Sequence, residues 1–387
     1  MMAGLLSGNQ VDLLESGTSY FPALAAAIDA AQSDIDLQTY IFANDATGVM
    51  IAAALSRAAQ RGVQVRVLVD GFGSRGLSAK LIGGMQDAGV NWLVFRPDSN
   101  WLIMRRYRLR RLHRKVVLID AKIAFVGGIN IIDDMDTPGQ VPPRFDYAAR
   151  VQGPILANII SDVQHLWTLV LWTQNKATWR RARRPAALQN PAAGQDNVAF
   201  VVRDNLRHRR DIEQAYMAAI AGARTHILIA NAYFLPGMRF RRALIEAAQR
   251  GVKVTLLLQG RVEYRLMHYA TRALYAQLLE SGVEICEYHK SFLHAKVAVI
   301  DTCWATVGSS NIDPFSLLLA REANLVIESS EFAQALRQSL VLAMQSGGML
   351  VPFERWRRRA WYQRVLSSLA LSLVRVLKGL VGYGSAW

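Results

Sequence analysis

LHRKVVLIDAKIAFVGGIN at residues 112–130 and LHAKVAVIDTCWATVGSSN at residues 293–311 read as two copies of one design within a chain of 387 residues. Each copy has a His, a Lys two positions on, an Asp five after the Lys and an Asn seventeen after the His. The first gives His113, Lys115, Asp120 and Asn130; the second gives His294, Lys296, Asp301 and Asn311. A lone His-x-Lys carries no information, but two long matches at the same internal spacing mark a catalytic constellation. Residues two apart on a strand share a face, so His113 and Lys115 project together, as do His294 and Lys296. Asp120 and Asp301 complete the motifs and are counted with their catalytic residues. Their opposite parity nonetheless predicts that they organise the strand end or the following turn and do not transfer protons. The Gly-rich turns ahead of Asn130 and Asn311 let a side-chain amide return to the same centre, which makes both substrate-binding candidates.

The repeat extends well beyond the motifs. AAQRGVQVRVLVDG at 58–71 matches AAQRGVKVTLLLQG at 247–260, each a helix end, a Gly stop and an apolar strand. Before them, AAIDAAQSDIDLQTYIF at 26–42 matches AAIAGARTHILIANAYF at 218–234. Each half therefore alternates strand and helix, the pattern of a layered α/β domain. Between the halves, WRRARRPAALQNPAAGQDN has no apolar period and reads as a linker. The expected organisation is a first domain over 1–178, a linker over 179–197, a second domain over 198–345 and a basic amphipathic tail over 346–387. Duplicated units of this kind meet around a pseudo-twofold axis, where residues converge in pairs.

Hydrophobic residues make up 52% of the chain and charged residues 19%, enough for two packed cores and against disorder. A formal charge of +15 points to an anionic partner, nucleic acid or anionic lipid. Cys286 and Cys303 fit neither a disulfide framework nor a zinc spacing, so a reducing compartment and a cytosolic face are expected. No basic start followed by a long apolar run opens the sequence, so no signal peptide or membrane anchor is expected ahead of the first domain. The apolar run Ile155 to Trp172 is interrupted by Asp162, Gln164 and His165 and reads as a core helix.

Two imidazoles, two ammonium groups and two amides converging on one pocket suit a phosphodiester. Cations and donors stabilise phosphoryl oxygens, while two histidines divide nucleophilic and acid work. His165, His208, His226, His268 and His289 show no metal-ligand spacing, so neither a metal nor a cofactor is expected. The Gly71-Phe72-Gly73 stretch lacks a dinucleotide fingerprint and reads as turn chemistry.

These motifs resemble those of the phospholipase D superfamily, and the resemblance covers nearly the whole chain. It implies a duplicated α/β/α sandwich of two pseudo-symmetric halves with one shared active site, a phosphohistidine-type intermediate and no metal requirement. It implies His113 as nucleophile and His294 as general acid, then base. It also implies carboxylates that hold the imidazoles, which match Glu322 in REANLVIES and Asp146 in RFDYAARVQ. Glu322 and Asp146 are counted with the substrate-binding residues.

The superfamily includes lipases, lipid synthases and nucleases, so the motifs fix the reaction and not the substrate. The tail WYQRVLSSLALSLVRVLKGLVGYGSAW places Arg364, Ser368, Ser372, Arg375 and Lys378 three or four apart among apolar residues. Arg375 and Lys378 would each cost roughly 2–3 kcal/mol near a bilayer centre, so lying in the interface is favoured over crossing it, with packing on the protein's own core as the alternative. WLIMRRYRLRRLHRK at 101–115 mixes apolar residues with arginines and suits lipid phosphates or, through Trp101 and Tyr107, stacked bases.

LHRKVVLIDAKIAFVGGIN, the AAQRGVQVRVLVDGFGS turn and RFDYAARVQGPI resemble the shorter, B-type family of bacterial cardiolipin synthases, from which the long basic tail departs. That resemblance implies phosphatidyl transfer between two phosphatidylglycerol molecules. It also implies an anionic membrane surface as partner, no nucleic acid, and a peripheral place on the cytoplasmic side of the bacterial inner membrane. A hydrolytic phospholipase D and a nuclease of the same superfamily are the alternatives.

Overall fold

The computed structural model describes residues 4–97, 110–137, 139–174, 190–204, 207–262, 264–314, 316 and 319–380. The first half runs β1 (Leu6–Glu15), α1 (Ser16–Ala30), β2 (Asp34–Thr39), α2 (Ala46–Gln60), β3 (Gln64–Asp70), α3 (Ala79–Asp87), β4 (Asn91–Phe95), β5 (Lys115–Ile119), β6 (Ile123–Gly127), β7 (Tyr147–Gln152) and α4 (Leu156–Thr173). The second half repeats that order as β8 (Asp196–Arg203), α5 (Asp211–Gly222), β9 (His226–Asn231), α6 (Met238–Gln249), β10 (Lys253–Gln259), α7 (Arg265–Glu280), β11 (Glu284–Tyr288), β12 (Lys296–Ile300), β13 (Trp304–Gly308), β14 (Glu322–Glu328) and α8 (Ser330–Gly347). The short strand β15 (Gly348–Leu350) and the helices α9 (Phe353–Arg357) and α10 (Trp361–Leu380) follow. Gly62 and Gly251, the shared stops seen in sequence, have φ of 91° and 88°, the left-handed conformation that ends a helix.

In each half three parallel strands, β2-β3-β4 and β9-β10-β11, are followed by an antiparallel set that begins with the motif strand, β5 or β12. The half-sheets join along β1, which pairs antiparallel with β7 on one side and β8 on the other. One fifteen-stranded sheet results. Outer helices α1 to α3 and α5 to α7 pack on separate cores, built around Leu24, Leu37 and Val67 in the first half and Ile229, Leu256 and Leu278 in the second. Helices α4 and α8 share a third core in which Val116, Leu118 and Ile159 of the first half meet Val297, Leu325 and Leu336 of the second. Each such side chain contributes roughly 1.5–3 kcal/mol on burial. Both motif strands thus contribute to one apolar core shared by the halves.

The run Ile155 to Trp172 falls on α4 and its N-cap, buried through Ile159, Val163 and Leu166 as a core helix. Among the described residues no helix is long and apolar enough to cross a membrane. Two boundaries differ from expectation. Most of 179–197 lies outside the described residues, but β8 begins inside it at Asp196. Residues 346–350 do not open a separate tail: they end α8 and add the edge strand β15 beside β11. Most of the basic stretch 101–115 lies outside the described residues up to position 109.

Helix α10 has two apolar stripes. Ser367, Ala370 and Val374 are buried, and Ala370 and Val374 join the core that includes Leu274 and Leu278 of α7. Tyr362, Val365, Leu369, Leu373 and Val376 are exposed. One side of the helix packs on the protein's own core, as one of the sequence alternatives had it, and the other side leaves an apolar stripe exposed.

Candidate active site

The sequence immediately before each motif strand is extended and crosses to the other half. His113 N–H donates to the carbonyl of Arg321 at 2.9 Å, and His294 N–H donates to that of Phe145 at 2.8 Å. Isolated bridges between Leu112 and Arg321 and between Phe145 and Leu293 complete this pair of reciprocal contacts. Each histidine is thereby brought beside the carboxylate of the opposite half. Glu322 Oε1 lies 2.9 Å from His113 Nδ1, and Asp146 Oδ2 lies 2.6 Å from His294 Nδ1. The Ser309 hydroxyl donates to Glu322, and the Tyr147 amide donates to Asp146, so both carboxylates are themselves held. Glu322 and Asp146 thus both touch an imidazole, each on the histidine of the opposite half.

Lys115 and Lys296 share the histidines' side, as strand parity requires. Lys115 Nζ donates to the His113 carbonyl at 2.7 Å, and Lys296 Nζ donates to that of His294. Lys296 Nζ also lies 3.7 Å from Asp146 Oδ2. Burial lowers the Lys115 ammonium to about 7, with Lys296 adding to the effect and Glu322 opposing it. Burial lowers His113 as well, against the pull of Glu322, and lowers His294 to about 3 with Lys296 adding to the effect. Asp146 is held below the ordinary carboxylate value: burial pushes it up, but Lys296 and His294 outweigh burial. With Nδ1–H given to a carboxylate, each neutral imidazole keeps a lone pair on Nε2. The site therefore offers two such nitrogens and two ammonium groups to one anionic centre.

Asn311 lines a cavity of about 290 Å³ together with His113, Tyr40, Arg111, Tyr233, Tyr264 and Met267. Asn130, its counterpart, accepts the Ile41 amide at 3.2 Å. Asp120 and Asp301 lie at the far ends of the motif strands, correcting their count as catalytic residues. Asp120 accepts from the amides of Gln32, Ser33 and Asp34 and from the Ser33 hydroxyl. Asp301 does the same with Arg224, Thr225 and His226. Both have φ of 52° and tie the turn after the motif strand to the start of β2 or β9. These amide bonds hold both carboxyls below their ordinary value against the effect of burial.

Sequence reasoning missed several neighbours. Tyr40 packs its ring 4.9 Å from that of His113 and within 5.5 Å of Lys115 Nζ. Asp70, fully buried, accepts the amides of Phe72, Gly73 and Leu112, and Arg111 lies 3.7 Å from it. The Gly71-Phe72-Gly73 turn thus fixes the approach to His113. A Cβ at Gly71 would come within 2.4 Å of the Arg96 carbonyl oxygen. The Asp-Gly pair at 70–71 was the available signal, since Asp side chains bond the amides of the turn that follows them. Among the described residues no three His, Cys, Asp or Glu side chains are grouped to hold a metal ion.

A sequence model of the family described as cardiolipin synthase, PLD-like domain, matches residues 24–135 and 216–341. The chain is 40% identical over 384 residues to cardiolipin synthase B of Salmonella typhi, covering 99% of this chain and 92% of that protein. It is 40% identical over 376 residues to cardiolipin synthase B of Escherichia coli K12, covering 97% and 90%. Among solved structures, the phosphatidylserine synthase of Haemophilus influenzae Rd KW20 superposes with a TM-score of 0.71 at 14% identity, over 98% of this chain and 96% of that one. That last likeness is one of fold.

Proposed function

Because the chain belongs to the phospholipase D-like cardiolipin synthase family, we propose that it joins two phosphatidylglycerol molecules into cardiolipin and releases glycerol. The observation that carries this reading is the reciprocal pairing of His113 with Glu322 and His294 with Asp146 in one centre. In the first step His113 Nε2 attacks phosphorus, the bond from phosphorus to the glycerol oxygen breaks, and His294 protonates that oxygen. In the second, His294 takes the proton of the second lipid's terminal hydroxyl. The new oxygen–phosphorus bond forms as the bond to His113 breaks. Lys115, Lys296, Asn130 and Asn311 stabilise the phosphoryl oxygens.

Burial lowers the free His294 to about 3, too low to act as an acid near neutrality. A bound phosphodiester brings a negative charge beside it, and an opposite charge within a few ångströms favours the protonated imidazole. Substrate binding therefore arms the acid. The two steps exchange one phosphoester for another, so neither a nucleotide nor an external energy source is required.

The exposed stripe of α10 and the charge of +15 support a peripheral mode of action on anionic membrane surfaces, at the cytoplasmic face of the bacterial inner membrane. Helix α7, on which α10 packs, also carries Met267 of the active-site cavity, so the membrane-facing helix is mechanically close to the chemistry.

Phosphatidylglycerol vesicles incubated with the protein, without nucleotide, test the reading. Cardiolipin and glycerol in equal amounts support it. Phosphatidic acid alone replaces it with hydrolysis, and no lipid turnover abandons it in favour of the nuclease.

A further inference from the structure

The two crossing contacts of the active site are mirror images in backbone but not in side chain. Two residues before His113 stands Arg111, and two before His294 stands Phe292. Two residues before Asp146 stands Arg144, and two before Glu322 stands Ala320. On the His113 side, Arg111 and Ala320 both line the open cavity of about 290 Å³. On the His294 side, Arg144 lays its guanidinium over the Phe292 ring, 4.6 Å from the centroid, and that ring lies 6.2 Å from the His294 ring. Each histidine thus has one guanidinium beside it, contributed from a different position of the repeat.

The Arg144 guanidinium acts at a distance on the Asp134 carboxylate, but the two form no ion pair. Its Nε is buried without a hydrogen-bond partner. No ion pair and no side-chain hydrogen bond from it is formed among the described residues, although its backbone is fixed by the bond from Arg144 N–H to the Asp134 carbonyl. Leaving a half-buried guanidinium donor unmatched is costly, and the cost is recovered when an anion arrives. Asp146 orients His294, and Arg144 shares its parity on the same extended segment, so both side chains project toward that histidine. A residue step of two along such a chain is about 6.6 Å, a reach that one glycerol linking two phosphates can span.

We propose that Arg144 binds the phosphodiester of the acceptor lipid, holding the second phosphatidylglycerol so that its terminal hydroxyl lies at His294. This rests on the phosphatidyl-transfer reading. It gives a physical basis for choosing a lipid over water or free glycerol as acceptor, since neither of those carries a phosphate. A planar guanidinium matches two phosphate oxygens at once, and its stacking on Phe292 pre-orients it.

The test compares two acceptors on the full-length protein. Exchange of labelled glycerol into phosphatidylglycerol uses the same donor, His113 and His294, but an acceptor with no phosphate. The Arg144→Gln variant is expected to lower cardiolipin formation at least tenfold through a raised KM for phosphatidylglycerol, while glycerol exchange falls no more than twofold. The Arg144→Lys variant is expected to recover part of the loss. An equal fall in both reactions places Arg144 at the reacting phosphate or in the fold and overturns the proposal, as does cardiolipin formation that stays unchanged. Wild-type protein that exchanges glycerol without forming cardiolipin would instead defeat the underlying reading of function.

Discussion

His113 Nδ1 lies 2.9 Å from Oε1 of Glu322, a residue 209 positions away in the other half of the chain. His294 and Asp146 repeat the relation in the opposite direction. Orientation of each imidazole is therefore a property of the assembled pair of domains, and no single domain contains a finished catalytic histidine.

Removing the charge from an orienting carboxylate should cost far more in rate than in folding. Glu322→Gln preserves shape but weakens the hold on the Nδ1–H tautomer, and comparable losses of a histidine-orienting carboxylate lower turnover by about 10²–10⁴. Cardiolipin formation from phosphatidylglycerol vesicles measures it. A change smaller than fivefold would show that Glu322 does not orient His113.

The division of labour between the histidines is open to trapping. His294→Ala loses both the acid of the first step and the base of the second, so with a donor whose leaving group needs no proton, such as a nitrophenyl phosphatidyl ester, a phosphatidyl adduct is expected to accumulate on His113, visible by mass spectrometry of the intact protein. Finding the adduct on His294 in the His113→Ala protein would reverse the two roles.

Stability should fall on mild acidification. Unfolded His294 takes up a proton near pH 6.5, whereas folded His294 does so only near 3. Between those values the unfolded chain binds more protons, so the contribution of this group is complete above about pH 6.5 and is lost as pH falls toward 3. Asp146, held low by Lys296 and His294 despite burial, adds a loss in the same direction at still lower pH. Thermal melts of wild type at pH 7 and pH 5 should show a drop in Tm that His294→Asn makes shallower.

Asp120 and Asp301 should behave as structural residues. Asp120→Ala removes a carboxylate that accepts three amides and a hydroxyl, at a cost of roughly 1–3 kcal/mol. At a temperature where the variant is folded, its kcat should stay within about threefold of wild type. Asp120→Asn should be milder, because Asn tolerates the left-handed backbone of this turn.

The two stripes of α10 separate by mutation. Leu369→Glu with Leu373→Glu removes two exposed apolar contacts, each worth roughly 1.5–3 kcal/mol when buried. Sedimentation with phosphatidylglycerol vesicles should show binding weakened on the order of 100-fold, with Tm little changed. Val374→Asp, on the packed stripe, should lower Tm instead.

Much of this was legible in the chain itself because the repeat is local. The helix stops at Gly62 and Gly251 and the shared faces of His113 with Lys115 follow from periods and spacings within a few residues. The parity of Asp120 also foretold its turn role, although motif membership had placed it among the catalytic groups. What the sequence did not reveal depends on how the halves meet. That Glu322 serves His113 and Asp146 serves His294, that Tyr40 packs on the imidazole, and that Asp70 anchors the Arg111 approach all involve partners tens to hundreds of residues apart. For α10, the spacing of its polar residues showed an amphipathic helix, and only packing on α7 divided its apolar side into a buried and an exposed stripe.

The exchange of carboxylates also governs when the protein becomes dangerous to its own lipids. At roughly 5–20 residues per second, a ribosome needs about 10–40 s after making His113 to reach Glu322. For that interval the nascent first half is chemically mute, since its histidine awaits a clamp not yet translated. A truncated product ending between the halves inherits the same silence.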